Sequence, residues 1–245
     1  MEDEFDVAST SDLSYGGMVT IRAEGLVSLV ADNKVSGYIP FSSNEISIEV
    51  DAIRASKVQK AVKPLNRRSK IESCPDNQRP VLTKALENAA SLANAAADAA
   101  LAGTSPQFEP LFKSSSKEVR SAVADRLHAI AKEASSTSSG VITYYCNDPY
   151  KYCSPALMAY TLPDQSITVN CDVFYKYPAL DDTCFDQDQA TTVIHEFTHA
   201  PAVYSPGTGD FAAGYDKTTK LSAEKALKNA DTYALFANCE FILLV

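Results

Sequence analysis

The chain has 245 residues, of which 45% are hydrophobic, and its formal net charge is −9. No apolar stretch is long enough to span a bilayer, so no membrane partner is predicted. The acidic balance argues against a nucleic-acid-binding surface and suits basic partners, although acidity also favours solubility in general.

The first part of the chain alternates between apolar and polar residues in three short segments: 18–22, 35–39 and 45–50. Period-two alternation with turn residues between the segments predicts β-strands. The chain begins with the acidic residues Met1-Glu2-Asp3-Glu4, unlike a basic and then apolar signal peptide. We therefore expect that residues are missing at the N-terminus.

The composition changes near residue 68, where the basic pair Arg67–Arg68 stands between the strand-rich part and the first cysteine. Kexin-type processing proteases cut secretory precursors after such pairs. The sequence thus predicts two parts, a β-rich segment of residues 1–68 and a domain of residues 69–245, with processing before Ser69.

The second part is rich in alanine and in helical periodicity. Helices are predicted over Pro80–Leu101, Lys117–Ala134 and Leu221–Leu235, and strands over 141–145 and 166–170. Six cysteines lie at 74, 146, 153, 171, 184 and 239. Because none has Cys-x-x-Cys spacing, we interpret them as disulfides formed in an oxidising compartment rather than as metal knuckles. Sequence alone leaves fifteen pairings open.

Two of the three histidines lie in the segment His195-Glu196-Phe197-Thr198-His199. On a helix, residues four apart share a face, so both imidazoles can reach one metal ion. A glutamate beside the first histidine can take a proton from a water molecule that zinc has acidified. The acidic and small polar residues from Asp188 suit a helix start, and Pro201 discourages continuation. The pattern indicates a zinc metalloprotease.

A catalytic zinc site needs a third protein ligand. The turn that follows the helix, Ser205 to Gly209, can lead the chain back and makes Asp210 the candidate, with Asp216 and Glu224 as rivals. The remaining histidine, His128, has no companion ligand nearby and is interpreted as a surface or half-buried side chain.

His195-Glu196-Phe197-Thr198-His199 followed by Gly207-Thr208-Gly209-Asp210 resembles the deuterolysin family of fungal zinc endopeptidases, the aspzincins. Segments around Cys146-Asn147-Asp148, Asp188-Gln189-Ala190 and Asn229-Ala230-Asp231 resemble the family as well. The resemblance covers essentially the whole chain.

This resemblance implies an α+β fold, namely a mainly helical zincin-like domain with a small antiparallel β-sheet, preceded by a β-rich pro-region. It implies one zinc ion held by His195, His199 and Asp210, with Glu196 as general base. It also implies the disulfides Cys74–Cys146, Cys153–Cys171 and Cys184–Cys239, although Cys239 lies six residues from the end, whereas the family's last cysteine is terminal. A secreted, monomeric endopeptidase that favours basic proteins such as histones and protamines is expected.

One position departs from the family pattern. The tyrosine that follows the ligand aspartate by three residues in the family, and is thought to bind the oxyanion, is Ala213 here. Loss of one oxyanion donor costs about 10²–10³ in rate. Tyr215 could supply the phenol. Two alternatives therefore remain, a secreted zinc-binding protein with weakened catalysis and a purely structural zinc site with a fourth ligand.

Overall fold

The computed structural model describes four strands before residue 50 and then residues 70–136 and 140–244, with side chains from 71–136 and 140–242. The chain divides into two compact units, Met1–Asn66 and Arg67–Val245. The predicted processing pair, Arg67 and Arg68, lies outside the described residues.

The first unit contains four strands: β1 (Met18–Ile21), β2 (Gly25–Ala31), β3 (Lys34–Phe41) and β4 (Ile46–Glu49). β1 pairs with β4 and β2 with β3, both antiparallel. The three predicted strands are confirmed. β2 was not predicted because its sequence, Gly-Leu-Val-Ser-Leu-Val-Ala, does not alternate between apolar and polar residues.

The second unit is mainly helical, as expected, and the described helices within it are α1 (Arg79–Ala102), α2 (Phe108–Phe112), α3 (Lys117–Ala134), α4 (Gln189–His199), α5 (Tyr215–Thr218), α6 (Ala223–Leu227) and α7 (Ala230–Leu244). α1 packs against α3, α4 and α7. Its buried face is largely alanine, and small side chains allow neighbouring helices to approach closely. None of the described helices combines the length and apolar character needed to cross a bilayer.

A sheet of four short strands completes this unit, in the order β5 (Lys70–Glu72), β6 (Thr143–Tyr145), β8 (Ile167–Asn170) and β7 (Ala159–Leu162). The small sheet is confirmed, but it is mixed rather than antiparallel. β5, β6 and β8 run parallel, since a long helical connection separates β5 from β6. β7 and β8 are antiparallel because only a short 3₁₀ turn, Pro163–Gln165, joins them. β7 forms an edge of this sheet and packs against α4.

The predicted last helix, Leu221–Leu235, is wrong as a single element. It is interrupted between α6 and α7, where Gly209 donates its N–H to Lys228 O and accepts from the N–H of Ala230. The backbone groups that would continue the helix are therefore used by another segment. α7 then runs on to Leu244 and is buried on all sides through Glu240, as expected of a central, mostly apolar helix.

Three disulfides connect these elements: Cys74–Cys146, Cys153–Cys171 and Cys184–Cys239. They are the pairs that the family resemblance implied. The third joins the segment that precedes α4 to the interior of α7, because α7 continues well beyond Cys239.

Candidate metal and catalytic site

Helix α4 presents His195 and His199 on one face, with the ring centroids 5.0 Å apart. The helix begins where predicted, because Asp188 caps it: its carboxylate accepts from Thr191 N, and the Thr191 hydroxyl accepts from Asp188 N. Asp188 is fully buried and also accepts from Asp181 N. The N-terminal end of the helix that carries both histidines is thus anchored to the protein interior.

Each histidine uses its Nδ1 nitrogen for a hydrogen bond to the protein. His195 Nδ1 lies 2.9 Å from Asp231 Oδ1, and His199 Nδ1 lies 3.0 Å from the carbonyl oxygen of Thr208. Both partners are acceptors, so each Nδ1 carries the proton and donates. In the neutral rings the lone pair is then on Nε2, which is the arrangement by which proteins orient metal-ligating histidines.

The chain turns back after α4 and brings Asp210 to these nitrogens. Thr208 N donates to Thr198 O, and the hydroxyls of these two threonines are 2.6 Å apart. Gly207 is required in this turn, since a Cβ atom there would lie 2.4 Å from the carbonyl oxygen of His199. The following residues therefore pass directly over the end of α4.

Asp210 Oδ1 lies 3.2 Å from His195 Nε2 and 3.4 Å from His199 Nε2. The candidate ligand atoms of the three residues all lie within 4.8 Å of one another. Ligand atoms at about 2.0–2.1 Å from a tetrahedral zinc ion are about 3.3–3.4 Å apart, so the two separations from Asp210 Oδ1 fit zinc. The Asp210 side chain is 65% exposed, which leaves the site open toward solvent.

The electrostatics of this group also suit a cation. Two ring nitrogens and a carboxylate oxygen face one another, and without a positive charge between them their lone pairs would repel. In the metal-free protein protons fill this role. Burial disfavours the protonated rings and so lowers their pKa. Hydrogen bonds to Asp210 and Asp231 nevertheless raise the pKa of His195 to about 10, and the hydrogen bond to Asp210 raises the pKa of His199. Hydrogen bonds from both rings hold the pKa of Asp210 far below its usual range.

Two side chains at the start of α7 hold the loop after Asp210. Asn229 Oδ1 accepts from the N–H groups of Phe211 and Ala212. Asp231 Oδ2 accepts from Gly214 N at 2.6 Å, while its other oxygen holds His195. The start of α7 therefore fixes two parts of the site, namely the ring of His195 and the loop after Asp210.

The structure separates the other sequence candidates from this group. Glu224 lies exposed on α6 and forms an ion pair with Lys228 at 2.9 Å. Asp216 is exposed in the first turn of α5. His128 is partly exposed, with Nε2 3.8 Å from Asp98 Oδ1. Within the part of the chain that the structure describes, only His195, His199 and Asp210 form a potential metal-binding cluster.

Glu196 is 5% exposed, and its carboxylate accepts a hydrogen bond from Thr161 Oγ1 on β7, at 2.8 Å from Oε2. Burial raises the pKa of Glu196, while the charges of His195 and His199 and the Thr161 hydrogen bond act in the opposite direction. A carboxylate with a raised pKa beside two histidines is suited to accept a proton near neutral pH.

Ala213 is exposed in the loop between Asp210 and α5, where its methyl group offers no donor. Tyr215 begins α5, and its ring stacks on Phe185 with the centroids 3.9 Å apart. This stack holds the ring against the segment that precedes α4. Ala213, at the position of the family's tyrosine, is thus exposed, whereas Tyr215, the candidate replacement, is packed against a neighbouring ring.

Sequence reasoning missed Asp231, Thr208 and Thr161. A carboxylate in the first turn of the mostly apolar α7 was a visible signal for Asp231. Thr208 acts through its backbone carbonyl, and Thr161 reaches α4 from a strand 35 residues away, so neither carries a local sequence signal.

The chain is similar to known proteins of one metalloprotease family. The profile of the deuterolysin metalloprotease (M35) family matches residues 1–243. A neutral protease 2 homologue of Aspergillus oryzae is 60% identical over 239 residues, covering 97% of this chain and 68% of the relative. A homologue from Aspergillus flavus is also 60% identical, over 97% of this chain and 59% of its own length. Neutral protease 2 of Aspergillus oryzae is 54% identical over 97% of this chain and 68% of its own length.

The chain thus spans about three fifths to two thirds of the length of these relatives. Among solved structures, a zinc peptidase from Grifola frondosa superposes with a TM-score of 0.56, covering 67% of this chain and 96% of that chain at 23% sequence identity. At that identity the likeness supports the α+β fold alone.

Proposed function

Because the chain belongs to the deuterolysin (M35) family of zinc metalloendopeptidases, we propose that it hydrolyses peptide bonds with one zinc ion held by His195, His199 and Asp210. The observation that carries this proposal is the convergence of the two Nε2 atoms and Asp210 Oδ1, with both Nδ1 atoms already held by the protein. Three protein ligands leave a position for water or substrate, as in catalytic rather than structural zinc sites.

When bound, the zinc ion supplies a Lewis acid that acidifies water and polarises the scissile carbonyl. The chain's own contribution begins with Glu196, which we propose as the general base. Thr161 holds Oε2 of this carboxylate, so Oε1 is the oxygen that accepts the proton. The same oxygen then returns the proton to the leaving amine, as microscopic reversibility favours for a single acid–base group. His195 and His199 are kept in the metal-binding tautomer by Asp231 and by the Thr208 carbonyl.

The oxyanion donor is not supplied from its usual position in the family, since the side chain of Ala213 has no donor. We propose that Tyr215 is the donor if the chain is fully active, which requires its phenol to leave the stack on Phe185 or to reach the substrate from it. The second candidate function, a zinc-binding secreted protein with weakened catalysis, rests on the same alanine. A structural zinc site has less support, because neither the exposed Asp216 nor Glu224, which pairs with Lys228, belongs to the cluster.

The substrate preference that we propose is for basic proteins such as histones and protamines. Residues 69–245 carry 21 acidic and 14 basic side chains. A surface with this balance attracts cationic chains and speeds their encounter, an effect that salt weakens.

We further propose that the protein is secreted as a precursor and acts as a monomer. Three disulfides suit an oxidising compartment. Along the chain, the boundary between the two compact units falls between Asn66 and Arg67, directly before the dibasic pair. In this proposal residues 1–68 are the C-terminal part of a pro-region, and a kexin-type protease releases residues 69–245.

The proposal is tested on the full chain, before and after cleavage by a kexin-type protease. Metal analysis should find one zinc ion per chain, and the cleaved protein should digest histone or protamine until a chelator is added. Salt should slow the digestion of protamine more than that of an acidic protein such as casein. A cleaved protein that holds zinc but digests none of these substrates contradicts the endopeptidase proposal and favours the weakened form.

A further inference from the structure

The general base is attached to the edge strand of the sheet through one hydroxyl. Thr161 Oγ1 on β7 lies 2.8 Å from Glu196 Oε2 and 3.0 Å from the backbone carbonyl oxygen of the same residue. One donor thus contacts both the side chain and the main chain of Glu196. A β-branched side chain has few rotamers, so the direction of this hydroxyl is well defined once its strand is fixed.

A second threonine controls which way this hydroxyl points. Thr168 on β8 is directly opposite Thr161 in the antiparallel register, and the two hydroxyl oxygens are 3.1 Å apart. Thr168 is fully buried. A hydroxyl has one hydrogen to donate, and both contacts of Thr161 on Glu196 are to acceptor oxygens. When Thr161 donates to Glu196, Thr168 must be the donor in the bond between the threonines.

We propose that Thr168 and Thr161 form a two-hydroxyl relay that positions Glu196, so that Oε2 is held by the sheet and Oε1 alone is left to exchange a proton. This inference rests on the proposed role of Glu196 as general base. Thr161 is a positioning residue, because its hydroxyl acts through the carboxylate and not on the substrate.

The surroundings of the relay favour a positioning role. β7 and β8 both lie inside the loop that Cys153–Cys171 closes, so the two threonines are held in register by a covalent link as well as by the strand pairing. The contact crosses from the sheet to α4, between segments that are 35 residues apart. It therefore fixes the base relative to the edge strand as well as to its own helix.

Four variants of the full chain, processed in the same way as the wild type, separate positioning from packing. Thr161→Val keeps the shape and removes the hydroxyl, and Thr161→Ser keeps the hydroxyl. Thr168→Val removes only the second hydroxyl, and Thr83→Val, whose hydroxyl bonds to Arg79 O on the outer side of α1, is the matched control. Zinc content, thermal melting, kcat and KM on protamine are measured for each.

We expect Thr161→Val to lose about 10- to 100-fold in kcat, the scale of effect that follows from misplacing a catalytic group by up to an ångström. KM and zinc content should stay at wild-type values. Thr161→Ser should restore most of the rate, Thr168→Val should fall between these two, and Thr83→Val should match the wild type. An unchanged kcat in Thr161→Val, an equal loss in Thr161→Ser, or a loss of zinc in Thr161→Val would each overturn the relay.

Failure of the proposed function gives a different result. If the processed wild type binds zinc but cleaves no substrate, the endopeptidase proposal fails, and crystal structures of the variants then decide the relay. A Glu196 side chain that leaves its wild-type position in Thr161→Val and keeps it in Thr161→Ser supports the relay. An unmoved Glu196 in Thr161→Val overturns it.

Discussion

The side chains of Asp231 and His195 meet at 2.9 Å although 36 residues separate them. The carboxylate accepts a hydrogen bond from Nδ1–H of the ring and, with its other oxygen, one from the N–H of Gly214. One side chain of α7 thus sets the orientation of a proposed metal ligand on α4 and the path of the loop after Asp210. The proposed metal site depends on this contact as well as on its ligands.

Replacing Asp231 with Asn should weaken zinc binding by about 10- to 100-fold, the usual effect of losing the hydrogen-bond partner of a metal-ligating histidine. The reason is that an amide is a poorer acceptor for the Nδ1 proton. Competition with a chelator of known affinity measures the change. Asp216→Asn, an exposed carboxylate on α5, is the control and should bind zinc normally. Equal affinities for the two variants would contradict the role given to Asp231.

Removal of the third ligand distinguishes Asp210 from its rivals. Asp210→Ala should abolish stoichiometric zinc binding under conditions in which the wild type is saturated, because two histidines alone do not form a complete site. Glu224→Ala should keep its zinc, since Glu224 pairs with Lys228 on the surface. Zinc content after dialysis decides between them, and retention of a full equivalent in Asp210→Ala would exclude Asp210 as a ligand.

Glu196→Gln should separate metal binding from catalysis. The amide keeps the size of the side chain but cannot accept a proton at neutral pH, so we expect a loss of about 10²–10⁴ in kcat with one zinc ion still bound. Peptide hydrolysis and metal content are measured on the same sample. Activity within a few-fold of wild type would show that another group is the base.

Ala213→Tyr and Tyr215→Phe together locate the oxyanion donor. If the site lacks a donor, Ala213→Tyr should raise kcat by about 10²–10³ and Tyr215→Phe should have little effect. If Tyr215 is already the oxyanion donor, Tyr215→Phe should lower kcat by a similar factor and Ala213→Tyr should raise kcat only slightly. Ala212→Tyr, one residue earlier in the same loop, is a control for adding an aromatic ring. No change in any variant would exclude a phenol from both positions.

Zinc binding at pH 8 should release protons from the protein. Because the pKa of His195 in the metal-free protein is raised to about 10, this ring is still protonated at pH 8, and zinc must displace that proton. An unperturbed histidine with a pKa of about 6.5 would already be neutral there. The apparent affinity should therefore rise with pH up to about 10 and fall as pH is lowered. Calorimetry in buffers of different ionisation enthalpy measures the release, and its absence at pH 8 would contradict the raised pKa.

The sequence predicted the parts of the site that depend on residues close together in the chain, and missed those that depend on distant segments. His195, Glu196 and His199 are set by one helical turn, and the cap at Asp188 lies next to that helix, so local rules were sufficient. Asp210 follows a turn, and only the family resemblance singled it out from Asp216 and Glu224. Asp231 and Thr161 contribute through contacts between distant segments, which no local pattern encodes.

The same limit applies to the fold: features set by contacts between distant segments were not predicted. The long amphipathic helix Lys117–Ala134 was predicted with its observed ends, because Ser116 is a strong N-cap and the apolar residues keep one face. The break before α7 was missed because its cause is the pairing of Gly209 with the backbone around Asn229. The strand directions were missed for a related reason, since the direction of β6 depends on the helices inserted between it and β5.

The disulfide Cys184–Cys239 closes a loop that contains the three proposed metal ligands, the proposed base and Asp231. A protease that works at high concentration meets its own exposed segments, and the turn residues between Asp210 and α5 are exposed. A single cut anywhere between the two cysteines would leave both fragments covalently joined, with α4 and α7 still packed against each other. Self-cleavage would then appear as two bands on a reducing gel and as one intact species without reductant, and the nicked enzyme would keep its metal.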